Sequence, residues 1–486
     1  MEPFSARDAS VPVRRERLPV LVDAERVFEA MFSGEELAFW LDAGIHAGTA
    51  FSYLGAASPV RPSWLLTGEG LVRMLGGERM PVAGTLEDVL RSWLPERLAA
   101  VGRKDVSAGP CPLGWVGWFG YEYGARRLGV AAASSRYPDA VMLAADRVIE
   151  IDHAGQSALW FFDDADGRAW AAEAEELLRS LPEASEQDGG ARPGSTSRNE
   201  HRPPAELPEA QHPPEPLWRH SDDDYLQMIA ECQRSIRAGD AYQLCLTNEV
   251  QASTPADPLG VYKAVRRISH AVHGAFIRVD DASVLSASPE LFLRVREGVA
   301  VTRPVKGTRR RGASQSEDAA LKRELMTDPK ERAENLMIVD LMRNDLGRVA
   351  RVGGVSVPEL LAVETHTHVH QLVSTVRAEL APAVDALDVL HACFPAGSMT
   401  GAPKLSAMGI LHELEGGPRG VYSGCLGRLG LDGSAEFAMV IRTIVMAGGE
   451  ASVGTGGGIT ALSVPENELA ETRLKAAALL AALGHP

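Results

Sequence analysis

Apolar positions in the first 180 residues fall in short runs broken by turn residues, the spacing of strands rather than long helices. Phe51–Gly55 (FSYLG) and Gly114–Tyr121 (GWVGWFGY) read as strands with close backbone approach at their glycines. Residues 168–181 (RAWAAEAEELLRSL) switch to helical periodicity. The pattern then stops: residues 185–216 are rich in Pro, Gly, Ser and charge, with almost no large apolar side chain, a composition that predicts a disordered linker ending by 220. Beyond it the signals sharpen. Ser221 and Asp222 can cap a helix carrying Tyr225, Met228, Ile229, Cys232 and Ile236 on one face and closing at Gly239. Ala241–Val250 reads as a strand. Asp328-Pro329 offers an N-cap and first-turn proline for a helix to about Gly347. Ser463–Glu466 (SVPE) predicts a capping box opening the last helix. Strands and helices alternate, so the fold class is mixed α/β, divided as 1–184, 185–220 and 221–486, with no internal repeat.

The chain's 486 residues, 45% apolar and 23% charged, are enough for a large core and several domains. A net charge of −16 speaks against nucleic acid as a partner. No apolar run approaches the roughly 18 residues a membrane helix needs, and the N-terminal stretch lacks the apolar core of a signal peptide, so a cytoplasmic location is expected. Five scattered cysteines without a CxxC pair predict neither disulfides nor a zinc site. Cys425, in Ser423–Gly427 (SGCLG), is read as a small buried residue of a glycine-rich strand rather than a nucleophile. Basic residues are almost all Arg; only seven Lys occur. A Lys inside a motif is therefore notable, because Lys can lose its proton when desolvated and act as a nucleophile.

Two helix starts each carry a Glu pair at i, i+3 spacing: Glu331 and Glu334, and Glu468 and Glu471, with Lys475 four residues further. Either pair alone could simply favour the helix dipole; together they could converge on Mg²⁺, which accepts one or two protein carboxylates beside water and an anionic ligand. Gly454–Ile459 (GTGGGI) could cradle an anion through backbone N–H groups or merely turn the chain. Arg442, in an apolar strand (VIRTI), suits a bidentate carboxylate or an internal salt bridge. Arg303–Thr308 (RPVKGT) and Ser288–Glu290 (SPE) are unremarkable singly.

Their order is not. SPE, RPVKGTRRRG, KERAENLMIVDLMRND, FPAGSMTGAPK, YSGCLG, AMVIRT, GTGGGI and PENELAET, spread over about 222–476, resemble the chorismate-utilising enzymes, the family of the anthranilate, aminodeoxychorismate, isochorismate and salicylate synthases. AFWLDAG, FSYLG and GWVGWFGYEYG resemble, more loosely, the amino-terminal region of the two ammonia-using members. The resemblance implies a large antiparallel β-sandwich with helices outside, and an amino-terminal region holding a possible tryptophan or regulatory pocket and a glutaminase docking face. It implies Glu334 and Glu471 as Mg²⁺ ligands, and Glu331 and Glu468 as acids holding metal-bound water. Gly307, Thr308, Gly456, Gly457 and Gly458 would line the substrate carboxylates, Tyr422 and Arg442 would clamp the enolpyruvyl carboxylate, and Lys475 would sit near the ring carboxylate. Glu290 would protonate the departing C4 hydroxyl. Chorismate is a dianion with a poor leaving group, so cationic clamps, a metal and a positioned acid suit it.

Three positions separate the members. Gln243 stands where water-using members carry Lys, and Gln cannot deprotonate water. Lys306 stands where the anthranilate type has Ala; in the aminodeoxychorismate type this Lys attacks C2, and ammonia then adds at C4. Gln371 replaces the His directly before LVS that is associated with pyruvate elimination, although His370 is adjacent. The expected activity is amination of chorismate to 4-amino-4-deoxychorismate on the way to 4-aminobenzoate. Its ammonia is expected from a separate glutamine amidotransferase subunit, since no complete amidotransferase signature is present. The alternatives are an anthranilate synthase component I and a non-catalytic chorismate-binding homologue.

Overall fold

The computed structural model describes residues 11–44, 51–97, 110–152, 156–182, 214–254, 256–269, 271–366 and 369–485. Among them are two antiparallel sheets of twelve strands each. The first runs, edge to edge, Val13–Leu18, Gln156–Phe162, Arg147–Asp152, Phe51–Ala56, Leu37–Asp42, His273–Val279, Ala282–Ser288, Thr443–Ala447, Glu450–Ile459, Gln243–Ser253 and Leu217–Trp218, with Gly401–Ala402 beside Gln243 and Leu244. The second runs Val305–Arg310, Val369–Leu380, Val299–Thr302, Leu291–Arg296, Ala435–Met439, Cys425–Gly430, Gly114–Phe119, Ala140–Ala145, Ser63–Thr67, Gly70–Leu75 and Glu78–Val82, with Ala350–Thr365 beside Val369–Leu380.

Both sheets mix residues from before and after position 200. Leu37–Asp42 pairs with His273–Val279 (Trp40 opposite Phe276), and Gly114–Phe119 pairs with Cys425–Gly430. One apolar core takes side chains from both sheets, including Phe39, Trp160 and Ile277 from the first and Trp64, Trp115 and Phe437 from the second. Strands buried on both faces need continuous rather than alternating apolar sequence, and Gly114–Phe119 and Ala140–Ala145 are buried throughout. A second core lies under the helices Ala24–Phe32, Ala165–Ser180, Pro258–Ile268 and Pro465–Ala482, which cover the first sheet. A third joins Asp222–Ala238 and Lys404–Glu415 to the strand Gln243–Ser253.

Several expectations change in detail. Most of the proposed linker lies outside the described residues, but its end is ordered: Leu217–Trp218 pairs with Val250 and Gln251, and the His220 amide donates to Asn248. The strand expected at Ala241–Val250 runs Gln243–Ser253. The last helix begins at Pro465 without a side-chain cap, because the Ser463 hydroxyl instead accepts from the Thr460 amide in the preceding turn. Gly454–Ile459 is neither a turn nor a free loop but the end of a strand. Cys425 is buried in its strand, as read from the sequence. No described helix is long and apolar enough to cross a membrane.

Candidate active site

Two well-formed helix starts bring the four glutamates together. Asp328 caps Pro329–Gly347 by accepting from the amides of Lys330 and Glu331. This fixes Glu331 and Glu334 in the opening turns. Pro465–Ala482 presents Glu468 and Glu471 likewise. The two helices meet through a residue the motif reading passed over. Lys330 Nζ lies 2.9 Å from Glu468 Oε1 and 3.8 Å from Glu334 Oε1. Glu468 and Glu334 are nearly buried, at 3% and 8% exposure. Glu331 faces Arg309 at 3.3 Å and packs over Gly307, whose missing Cβ would stand 2.9 Å from the carboxyl. The half-exposed Glu471 pairs with Lys475 at 2.8 Å, and Lys475 also donates to the Gly456 carbonyl at 2.8 Å.

Burial pushes the Glu334 carboxyl above the usual range; Lys306 and Lys330 pull it back, and Glu331 and Glu468 add to the rise. Burial acts the same way on Glu471, but Lys475, Lys330 and Lys306 overcome it and hold that carboxyl low. Among the described residues no three His, Cys, Asp or Glu side chains stand as a ready ligand cluster. The donors nevertheless suit a hard divalent cation, which needs only one or two protein carboxylates. Glu334 and Glu468 are carboxylates converging on one cationic position.

Lys306, from the strand Val305–Arg310, faces this cluster from the other side. Its ammonium has no hydrogen bond or ion pair within the described residues. Burial draws its pKa down, yet the charges of Glu334, Cys245, Glu290 and Glu471 outweigh that and hold it above an ordinary lysine. Glu290 is 7% exposed. Burial pushes its carboxyl up to about 7, against the pull of Lys306 and hydrogen bonds from Ser398 and the Val305 amide.

The glycine-rich strand forms one wall. Its pairing with Thr443–Ala447 stops at Val453, so Gly454–Ile459 is laddered only on the Gln243–Ser253 side. Glycine is required there by close approach: a Cβ on Gly454 would stand 2.1 Å from the Tyr422 ring, and one on Gly458 2.1 Å from Gln243 Nε2. The Gln243 amide is 1% exposed, and its Oε1 lacks a hydrogen-bond partner among the described residues. Arg442 sits at the corner with φ +52°. Its guanidinium has no ion pair among the described residues, so the internal salt bridge is not formed. Burial lowers its pKa, against Tyr422 and Glu471.

Thr308, exposed, pairs across the strands with Gln371. His370, one residue before Gln371, points the opposite way, as strand alternation requires. It is locked between the Thr365 hydroxyl and Asp318 Oδ1, each at 3.0 Å. The residues that sequence reasoning missed are Lys330, Ser398 and Cys245. Lys330 carried a signal as one of seven lysines, and Ser398 as part of the motif FPAGSMTGAPK. A separate cavity of about 400 Å³ lies between the sheets, lined by Phe51, Tyr53, His273, Arg294 and Glu436 among others.

Fold and site together gather buried carboxyl groups, lysines and a buried arginine beside the open edge of a glycine-rich strand. The sequence profile of the chorismate binding enzymes matches residues 77–481, and the chain belongs to that family. It is 42% identical over 477 residues to the aminodeoxychorismate synthase of Streptomyces griseus, covering 95% of this chain and 63% of that protein. It is also 42% identical over 495 residues to the Streptomyces pristinaespiralis aminodeoxychorismate synthase, covering 98% and 66%. The chain thus spans just under two thirds of these relatives. It is 35% identical to anthranilate synthase component 1 of Mycolicibacterium smegmatis, over 89% of this chain and 82% of that one. The crystal structure of anthranilate synthase component I from Streptococcus pneumoniae TIGR4 superposes with a TM-score of 0.71 at 26% identity, covering 88% and 92%.

Proposed function

We propose that this chain aminates chorismate at C4 to give 4-amino-4-deoxychorismate and water, as an aminodeoxychorismate synthase component I. The observation that carries the reading is Lys306, an ammonium without an ion pair among the described residues, facing the buried Glu290. A proton passing from Lys306 to the Glu290 carboxylate would leave a neutral amine and a protonated acid, the two species the first step needs. The amine adds at C2, both ring double bonds shift, and the C4 hydroxyl leaves as water with the proton of Glu290. Ammonia then adds at C4, both double bonds shift back, and the C2–N bond to Lys306 breaks, the lysine amine regaining its proton from the new C4 ammonium. Arg442, beside Tyr422, and the open edge of Gly456–Gly458 hold the substrate carboxylates. Gln243 presents an amide where a lysine would activate water. Gln371 occupies the position associated with pyruvate elimination, while His370 is tied up elsewhere.

Mg²⁺, held by Glu334 and Glu471 with Glu331 and Glu468 around its water, would supply charge neutralisation for the ring carboxylate. Ammonia would come from a glutamine amidotransferase partner, consistent with the resemblance to component I subunits. The cavity between the sheets offers room for the regulatory ligand, tryptophan or another, expected of the N-terminal region. Chromatographic product analysis with chorismate, Mg²⁺ and ammonia tests the main reading. Wild-type protein should yield aminodeoxychorismate, and Lys306→Ala should lose it. Anthranilate and pyruvate as main wild-type products would refute the reading. An unchanged product with only a raised KM in Lys306→Ala would reduce Lys306 to a substrate clamp.

A further inference from the structure

We propose that the buried Arg419–Glu415 pair is a positioning device that sets three substrate-facing segments in register. Arg419 is 4% exposed and spends its whole fork. Nε and Nη2 reach Glu415 Oε2 and Oε1 at 2.8 and 2.6 Å. Nη2 also donates to the Cys245 carbonyl at 2.9 Å, and Nη1 to the Met399 carbonyl at 2.5 Å and the Ser423 hydroxyl at 3.5 Å. The Tyr121 ring lies under the guanidinium, 4.4 Å from its centroid. Glu415 Oε1 accepts from the Thr247 amide at 2.9 Å. The loop itself is pinned by Glu122, which accepts from the Arg419 and Gly420 amides at 2.7 and 2.9 Å.

Each bond ends next to a site residue. Cys245 is two residues from Gln243 on one face of the same strand. Met399 follows Ser398, the partner of Glu290. Ser423, held at φ +65° without being glycine, follows Tyr422. A buried ion pair is weak support for stability, because desolvation offsets its attraction and an apolar pair can often replace it. What an apolar pair cannot do is hold two carbonyls, a hydroxyl and an amide from three chain segments at fixed positions. Only a guanidinium has enough donors in a rigid plane; a lysine has three donors on one point.

The inference rests on the chorismate site described above, not on which product leaves it. Arg419→Lys and Glu415→Gln are compared with wild type by melting temperature and by kcat and KM for chorismate consumption. Both variants are expected to stay folded while kcat/KM falls at least tenfold. Adding Tyr422→Phe should then cost at least fivefold less in the Arg419→Lys background than in wild type, because the ring is already misplaced. A folded Arg419→Lys protein with kinetics within twofold of wild type, or strictly additive losses with Tyr422→Phe, overturns the proposal. If Arg419→Lys does not fold, Glu415→Gln is read by the same criteria. Failure of both to fold also overturns it, since the pair would then serve the fold rather than the site. A wild-type protein releasing anthranilate would refute amination at C4 yet leave this comparison readable.

Discussion

Glu290→Gln should make the protein more stable while removing its activity, and the gain should depend on pH. Burial raises the folded-state pKa of Glu290 from 4.5 to about 7. Between those values the folded chain binds a proton that the unfolded chain does not. Stability therefore falls as pH rises through this window and is level above it. At about 1.4 kcal/mol per pKa unit, the full cost is about 3 kcal/mol at pH 8 and somewhat under 1 kcal/mol at pH 5. Gln has the shape of Glu but no charge to desolvate. Any offset from altered hydrogen bonds to Ser398 or Val305 is the same at both pH values, and all other titrations cancel between the two proteins. Urea midpoints for wild type and variant at pH 5, 6, 7 and 8 give the difference curve. It should grow by about 2.5 kcal/mol from pH 5 to 8. A flat curve would refute the claim that a buried, easily protonated Glu290 is the acid of this site. Since the reacting pair forms from a charged Lys306 and an ionised Glu290, wild-type kcat should rise through about pH 7 to a plateau, and Glu290→Gln should have no turnover to titrate.

Glu334→Ala and Glu471→Ala should each abolish divalent-dependent turnover; near-wild-type activity at low Mg²⁺ in either would contradict the metal assignment. Gly458→Ala should drive a methyl group into the Gln243 amide, costing about 1–3 kcal/mol and most of the activity, as measured by melting and turnover. His370→Ala should leave product identity unchanged, because the imidazole is engaged by Asp318 and Thr365 rather than by the site. It should still cost about 2 kcal/mol or more through the cavity left by the buried ring, and any change in the amount of pyruvate formed would show that His370 reaches the substrate.

The features legible in the sequence were those decided within a few residues. Asp328-Pro329 and Ser221 do cap their helices, and Gly239 does close the second in the left-handed conformation. The Glu pairs do sit at helix starts. Whether the pairs meet is a matter of 130 residues of intervening chain, and spacing left that open. The SVPE signature failed because Ser463 accepts from the Thr460 amide in the preceding turn and the helix is entered through Val464 instead. The glycines of Gly454–Gly458 looked like a turn because glycine most often serves φ; here it serves the approach of Tyr422 and Gln243, which no local pattern encodes. Arg419, one among dozens of basic residues, gave no signal at all, since beyond Glu415 and Ser423 its partners, Met399, Cys245 and Tyr121, come from other segments of the chain.

The scarcity of lysine proved more telling than any spacing, and there is a physical reason. Three of the seven lysines, Lys306, Lys330 and Lys475, stand in the glutamate cluster. A guanidinium facing these carboxylates would take both oxygens of one in its fork and stay charged. An ammonium takes a single oxygen, as Lys330 does with Glu468 and Lys475 with Glu471, and leaves the other for a metal or substrate. It can also give up its proton. Lys263 and Lys404 also pair with carboxylates elsewhere, so what sets the cluster's lysines apart is that Glu468 and Glu471 each keep one oxygen free beside them.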